Sequence, residues 1–136
     1  MGYFGGVNCA LLCTYAAICY PNAAPAVVLH HCFRIFAEWE YPNPILVKDV
    51  EEKPELMQDN NVWNPEKDER HKKDLFPLLT PCYPCQNSCY SVMKSTRDVI
   101  VSEFKRGYEI TGMILQGRAV CDKREKNMLN MLINDK

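Results

Sequence analysis

At 136 residues the chain suits one domain, which at this size buries roughly two-thirds of its unfolded surface and needs no disulfide framework. Its formal net charge of −1, from 16 basic and 17 acidic residues, gives by itself no reason to expect a polyanionic partner. Eight cysteines would suit a secreted scaffold, but Cys9, Cys13, Cys19 and Cys32 fall in apolar helical patterns, and no basic residue precedes Arg34 to form a signal n-region; a reduced, intracellular protein is expected.

The charge is unevenly spread. Residues 1–47 carry one Arg and two Glu, residues 48–74 six basic and nine acidic residues, and residues 94–136 nine basic and six acidic. The local excess of +3 in the last segment permits a polyanion there without demanding one.

Residues 1–33 hold no formal charge. Asn8, Thr14 and the glycines dilute the Tyr3 to Tyr20 stretch, Tyr20-Pro21-Asn22 breaks it, and no basic flank orients it, so no membrane span is expected. Gly5-Gly6 opens a helix whose Val7, Leu11, Leu12, Tyr15, Ile18 and Cys19 populate nearly every face, which predicts a helix buried on most sides. Met1-Gly2-Tyr3 enters this core sequence with no polar lead-in, as expected of a piece of a larger protein.

Asn22 as N-cap and Pro25 in the first turn predict a second helix to about Glu40, with Val28, Cys32, Ile35, Phe36 and Trp39 on its core face. His30 and His31 lie within it, one expected toward solvent and one beside the core, since adjacent residues share no helix face for a metal. Tyr41-Pro42-Asn43-Pro44 ends the helix. Residues 48–74 read as an irregular, exposed connection with Trp63 as its apolar anchor.

Leu75 to Met93 contains no Asp, Glu, Lys or Arg and is broken by Pro77, Pro81 and Pro84, which predicts a long, semi-rigid irregular loop. Its Thr80, Gln86, Asn87 and Ser88 are neutral hydrogen-bonding groups of the kind that read a base or cap a turn. Cys82, Cys85 and Cys89 supply only three ligands, so no metal site is expected. Ser95-Thr96-Arg97-Asp98 resembles a capping box and opens a third helix, from Arg97 to about Leu115, with Ile100, Phe104, Thr111 and Ile114 inward and Gly107 marking close backbone approach. Arg118 to about Ile133 reads as a fourth, amphipathic helix.

The residues offer no secure Ser-His-Asp or Cys-His set, no Walker loop, no Asp-x-Asp and no His-x-x-x-His, so no catalytic residue is assigned. An all-α domain with an uncharged recognition loop is as far as spacing carries.

Several segments, in one order, add to this. They are Gly2-Tyr3-Phe4-Gly5-Gly6-Val7, Tyr20-Pro21-Asn22-Ala23, Trp39-Glu40-Tyr41-Pro42-Asn43-Pro44, Val62-Trp63-Asn64-Pro65 and Thr80-Pro81-Cys82-Tyr83-Pro84-Cys85-Gln86-Asn87-Ser88, then Ser95-Thr96-Arg97 and Glu103-Phe104-Lys105-Arg106-Gly107. Together they resemble the central domain of eukaryotic poly(A) polymerase over residues 1–120, while 121–136 find no counterpart and stand as a C-terminal helix or tail.

The resemblance implies a helical bundle like the family's five-helix substrate-binding domain, lacking at least one helix. It also implies a parent enzyme that adds AMP from ATP to RNA 3′ ends in the nucleus. The nucleotidyltransferase domain with its aspartates and two Mg²⁺ ions, and the C-terminal RNA-binding domain, would then be partners from elsewhere in the same protein. ATP and the RNA 3′ end are the implied substrates, with nothing expected bound to this chain alone and no activity expected of it. By position Gly6 and Val7 match the family's glycine–valine ATP contact, and Thr80 matches a threonine near the adenine. A free-standing nucleotide- or RNA-binding regulatory module is the alternative. Three departures stand out: the family's triphosphate-contacting lysine and tyrosine would fall before Gly2, the connection at 48–74 is a few residues longer than usual, and Cys82, Cys85 and Cys89 replace other residues.

Overall fold

A computed structural model describes residues 2–49 and 62–116. Three α-helices carry the fold: α1 (Gly6–Cys19), α2 (Pro25–Ala37) and α3 (Lys94–Leu115). Between α2 and α3 run β1 (Ile45–Leu46), a 3-10 turn at His71–Lys73 and β2 (Leu78–Leu79). The described part is therefore largely helical, and it contains a parallel β1–β2 pair, Ile45 opposite Leu78 and Leu46 opposite Leu79, that no sequence pattern announces. A five-helix bundle is not seen among the described residues; the expected helix at 118–133 lies outside them.

The helix starts differ from expectation for local reasons. Pro25 is the first residue of α2, but the N-cap is Ala24, with no side-chain cap, rather than Asn22. At α3 the N-cap is Met93 rather than Ser95. Thr96 occupies the third helical position, where its hydroxyl accepts the Met93 N–H at 2.9 Å, so the helix is capped from inside its first turn.

The core lies between α1, α2, α3 and the paired strands. Phe36, Phe76, Ile45 and Leu78 are fully enclosed, joined by Leu12, Ala16, Cys32, Cys89, Val92 and Ile100. Phe36 stands at its centre, with the rings of Tyr15, Trp39 and Phe104 each 5.8 Å away. The predicted core face of α2 holds: Cys32 and Phe36 are buried, and Val28, Ile35 and Trp39 pack against them.

α1 does not behave as a helix buried on most sides. It buries only Asn8, Leu12 and Ala16, one residue per turn, while Val7 is 68% and Ile18 59% exposed. Its apolar composition all round reflects one face on the core and another left open. On α3, Ile100 is buried and Phe104 half-buried as expected, but Ile114 is exposed because the helix runs past the end of the core.

Helices α2 and α3 meet at Gly107. A Cβ there would lie 2.7 Å from the Phe33 ring, against a van der Waals contact of about 3.5–4 Å. At Gly112, further along α3, a Cβ would meet only His30 Cε1, at 3.4 Å. Gly107→Ala is expected to destabilise the domain by about 1–3 kcal/mol, because α2 and α3 must part. Gly112→Ala is expected to be neutral or stabilising by up to about 1 kcal/mol, since alanine is the better helix former. Urea unfolding of the two variants checks the opposite signs.

His30 and His31 are both half-buried. His30 Nδ1 pairs with Thr111 Oγ1 at 2.8 Å and its ring stacks on Tyr108, tying α2 to α3. His31 stacks on Tyr20 at 4.0 Å, and burial, then the nearby Arg34 charge, push its pKa below the usual histidine value.

Candidate functional site

The uncharged stretch folds into a tight hairpin rather than an open loop. Leu79 bridges antiparallel to Asn87. Thr80 N–H donates to Gln86 O at 3.0 Å, and Gln86 N–H donates to Thr80 Oγ1 at 3.1 Å. Ser88 closes the base, its N–H and Oγ both donating to Leu78 O at 2.9 and 3.0 Å. With three prolines removing backbone donors, such a hairpin depends on side chains to satisfy what remains.

Asn87 does most of that. Its Oδ1 accepts the Leu78 N–H at 3.0 Å and the Cys89 N–H at 2.8 Å, both buried. Using both lone pairs fixes which end of the amide is oxygen and leaves Nδ2 with no partner among the described residues.

The hairpin leans on the start of α1. Asn8 Nδ2 donates to Ser88 O at 3.5 Å. Just upstream, Gly2 has φ +104°, and a Cβ there would lie 3.0 Å from Ser91 O, so the chain needs glycine to pass this close to the residues leading into α3.

Within this frame Gly6 and Val7 form the first residues of α1. Gly6 is exposed, with nothing within 4 Å of where a Cβ would be. Val7 is 68% exposed and makes no part of the core. Thr80 is half-buried. Its Oγ1 accepts the Gln86 N–H, which leaves its own hydroxyl proton to donate. Asn8, which follows Val7, bonds Ser88 at the base of the hairpin whose strand leads to Thr80. Asn87, named in the sequence only as one of four neutral hydrogen-bonding groups, is the one that orders this junction, by accepting both the Leu78 and Cys89 amides.

No disulfide forms among the seven described cysteines, and no group of three His, Cys, Asp or Glu among the described residues could hold a metal ion. Cys85 and Cys89 are buried and Cys82 is exposed, so the three face different surroundings. Burial pushes the Cys89 thiol up to about 11, and burial with the Cys13 thiol alongside pushes Cys32 up to about 12. Neither is a thiolate at neutral pH. No described helix is long and apolar enough to cross a membrane.

Fold and junction together define a helical module with one polar hairpin set against an exposed helix start. The chain belongs to the poly(A) polymerase central domain family, whose pattern it matches over residues 1–125. It is 43% identical over 129 residues to a poly(A) polymerase of Dictyostelium discoideum, covering 95% of this chain and 15% of that protein. It is 39% identical over 109 residues to nuclear poly(A) polymerase 2 of Arabidopsis thaliana, covering 80% and 13% respectively. With nuclear poly(A) polymerase 1 of the same plant the identity is 36% over 121 residues, covering 89% and 16%. The chain therefore spans only 13% to 16% of the length of these relatives.

Proposed function

We propose that this chain is the central domain of a nuclear polynucleotide adenylyltransferase that adds AMP from ATP to RNA 3′ ends, and that it supplies one wall of the nucleotide cleft through Gly6, Val7 and Thr80. The observation that carries the reading is the exposure of Gly6 and Val7 at the start of α1, beside the hairpin that holds Thr80. A valine 68% exposed at a helix start is available for a base to pack on, and a glycine with open space around it lets a ligand approach the backbone. Family membership supplies the reaction class, and the names of the Arabidopsis relatives support the nucleus as its location.

The chemistry itself would lie elsewhere in the parent protein, in a nucleotidyltransferase domain holding Mg²⁺, with a further RNA-binding domain. This chain would bind and orient ATP and the RNA end for that domain. Its domain would run from residue 1 to about 120.

The test uses the complete polypeptide in primer extension with ATP, Mg²⁺ and oligo(A), with this chain alone as the arm expected to extend nothing. Val7→Asp is expected to raise the KM for ATP about tenfold or more, because an anion replaces the apolar contact close to a triphosphate. Val7→Ile keeps the apolar face and is expected to stay within about threefold of the parent. Since Val7 lies outside the core, both variants should melt near the parent temperature. An unchanged KM in a folded Val7→Asp enzyme removes Gly6 and Val7 from the site.

A further inference from the structure

No cysteine takes part in the Gly6–Val7–Thr80 site, yet four thiols gather where α1 meets α2 and the hairpin. Cys32 and Cys89 are buried in the core, and Cys9 lies near enough to act on both electrostatically. Cys13 is exposed on α1, and the Cys32 S–H donates to its sulfur.

The helix packing brings Cys13 and Cys32 together. The buried stripe of α1 is Asn8, Leu12 and Ala16. Cys13 stands at its edge, next to Leu12 and three residues before Ala16, so it shares the flank turned to α2. Just past the end of α1, Tyr20 stacks on His31 at 4.0 Å and accepts a hydrogen bond from Arg34 at 2.7 Å. Tyr15 packs against Phe36, with ring centres 5.8 Å apart. The first helix thus grips the second at His31 and at Phe36, immediately before Cys32 and one turn after it.

The two thiols differ in access. Cys32 is 4% exposed, whereas Cys13 is open to solvent. A small oxidant therefore meets Cys13 first, with a buried thiol already touching it. In that arrangement a sulfenic acid is captured as a disulfide before it can oxidise further. No three ligand side chains among the described residues converge, so the chemistry open here is that of a thiol pair and not of a metal.

We propose that Cys13 and Cys32 form a reversible oxidation site, closed to a disulfide between α1 and α2 by hydrogen peroxide and reopened by a small thiol. The Cys13 sulfur, as thiolate, attacks one oxygen of the peroxide. The O–O bond breaks, Cys13 becomes the sulfenic acid, and the released hydroxide takes up the thiol proton as water. The Cys32 sulfur then attacks the Cys13 sulfur, the S–O bond breaks, and the departing hydroxide takes the Cys32 proton as a second water. Two electrons pass from the thiol pair to the peroxide. Two equivalents of a small thiol return both S–H groups and leave as their own disulfide. The link ties α1, which begins with Gly6 and Val7, to the core face of α2.

The experiment treats the reduced 136-residue chain with a small excess of hydrogen peroxide, alkylates it in denaturant and maps the peptides. Residues 1–33 contain no Lys or Arg, so trypsin leaves both cysteines on one peptide; chymotrypsin, cutting after Tyr15 and Leu29, separates them. A Cys13–Cys32 linked peptide is expected as the main disulfide, lost on adding dithiothreitol. The oxidised chain is expected to melt about 5 °C or more above the reduced one, because the closed loop restricts the unfolded chain. Cys13→Ser, a change at the surface, should abolish both the linked peptide and the rise in melting temperature, and Cys82→Ser should leave both in place. Mapping of the unsubstituted chain decides the matter even where a variant folds poorly. The proposal is overturned if the exposed Cys82 is oxidised while Cys13 and Cys32 remain free thiols, if Cys32 pairs in preference with Cys9 or Cys89, or if the linked peptide comes only from dimers seen on a non-reducing gel. None of these outcomes touches the ATP-cleft reading, which uses no thiol.

Discussion

Phe36→Ala should leave a domain barely able to fold. Phe36 has no exposed surface and sits among Tyr15, Trp39 and Phe104. Truncating a buried phenylalanine typically costs about 3–5 kcal/mol, from lost transfer free energy plus the cavity left behind. The ring contacts add to this, since each well-oriented aromatic pair contributes about 0.5–1.5 kcal/mol beyond its area. A domain of this size has about 5–15 kcal/mol to lose. Phe36→Leu retains most of the volume and should cost less than half as much. Urea unfolding followed by tryptophan fluorescence, with Trp39 beside the cavity as reporter, is expected to show the midpoint falling steeply for alanine and moderately for leucine. Equal midpoints for the two would mean that the site collapses freely around the lost ring.

Asn87→Ala should be the other severe change, for a polar reason. It strips the side-chain acceptor shared by the buried Leu78 and Cys89 amides. Each buried donor left unpaired costs about 1–3 kcal/mol, so the pair predicts a loss of about 2–6 kcal/mol. Asn87→Asp keeps both amides paired but puts an unpartnered carboxylate oxygen at the buried Nδ2 position, so it should also lower global stability, through desolvation rather than through lost bonds. Hydrogen exchange makes the distinction local. In the alanine variant the Leu78 and Cys89 amides should exchange much faster than those in the middle of α2, and in the aspartate variant they should not.

The fold is legible in the sequence wherever polar and apolar residues alternate at helical spacing, as on α2, where His30, His31 and Arg34 stand among Val28, Cys32 and Phe36, and on most of α3. Gly107 is legible too, because a lone glycine on an inward helix face points to a neighbour that a Cβ would strike. α1 is not, because a segment with no charged residue gives periodicity nothing to contrast with. Only the structure shows that Asn8, Leu12 and Ala16 form the buried stripe, and that Val7 and Ile18 do not. The β1–β2 pair is invisible because strands of two residues each cannot display an alternation. The start of α3 lies before the expected cap because Thr96 reaches back to the Met93 N–H from the third helical position, which leaves Ser95 inside the helix.

The candidate site is legible only in part. Gly6, Val7 and Thr80 come from family resemblance, and the residues alone say little of them. What the structure adds is a tie between the start of α1 and the hairpin, through Asn8 and Ser88. That hydrogen bond links residues 80 positions apart, which no local pattern could reveal. For Asn87 the turn bond to the Cys89 amide two residues on is of the kind the sequence suggests, while its bond to the Leu78 amide appears only when the hairpin closes.

That separation has a consequence for how the protein is made. α1 leaves the ribosome well before the hairpin it supports, because Ser88 follows Asn8 by 80 residues. At a synthesis rate of about 5–20 residues per second, the uncharged helix waits roughly 4–16 s before the hairpin exists to receive it. Hydrophobic collapse of a chain of ~100 residues takes only about 10–100 μs. The nascent polypeptide therefore spends many thousands of collapse times with the hairpin side of α1 uncovered.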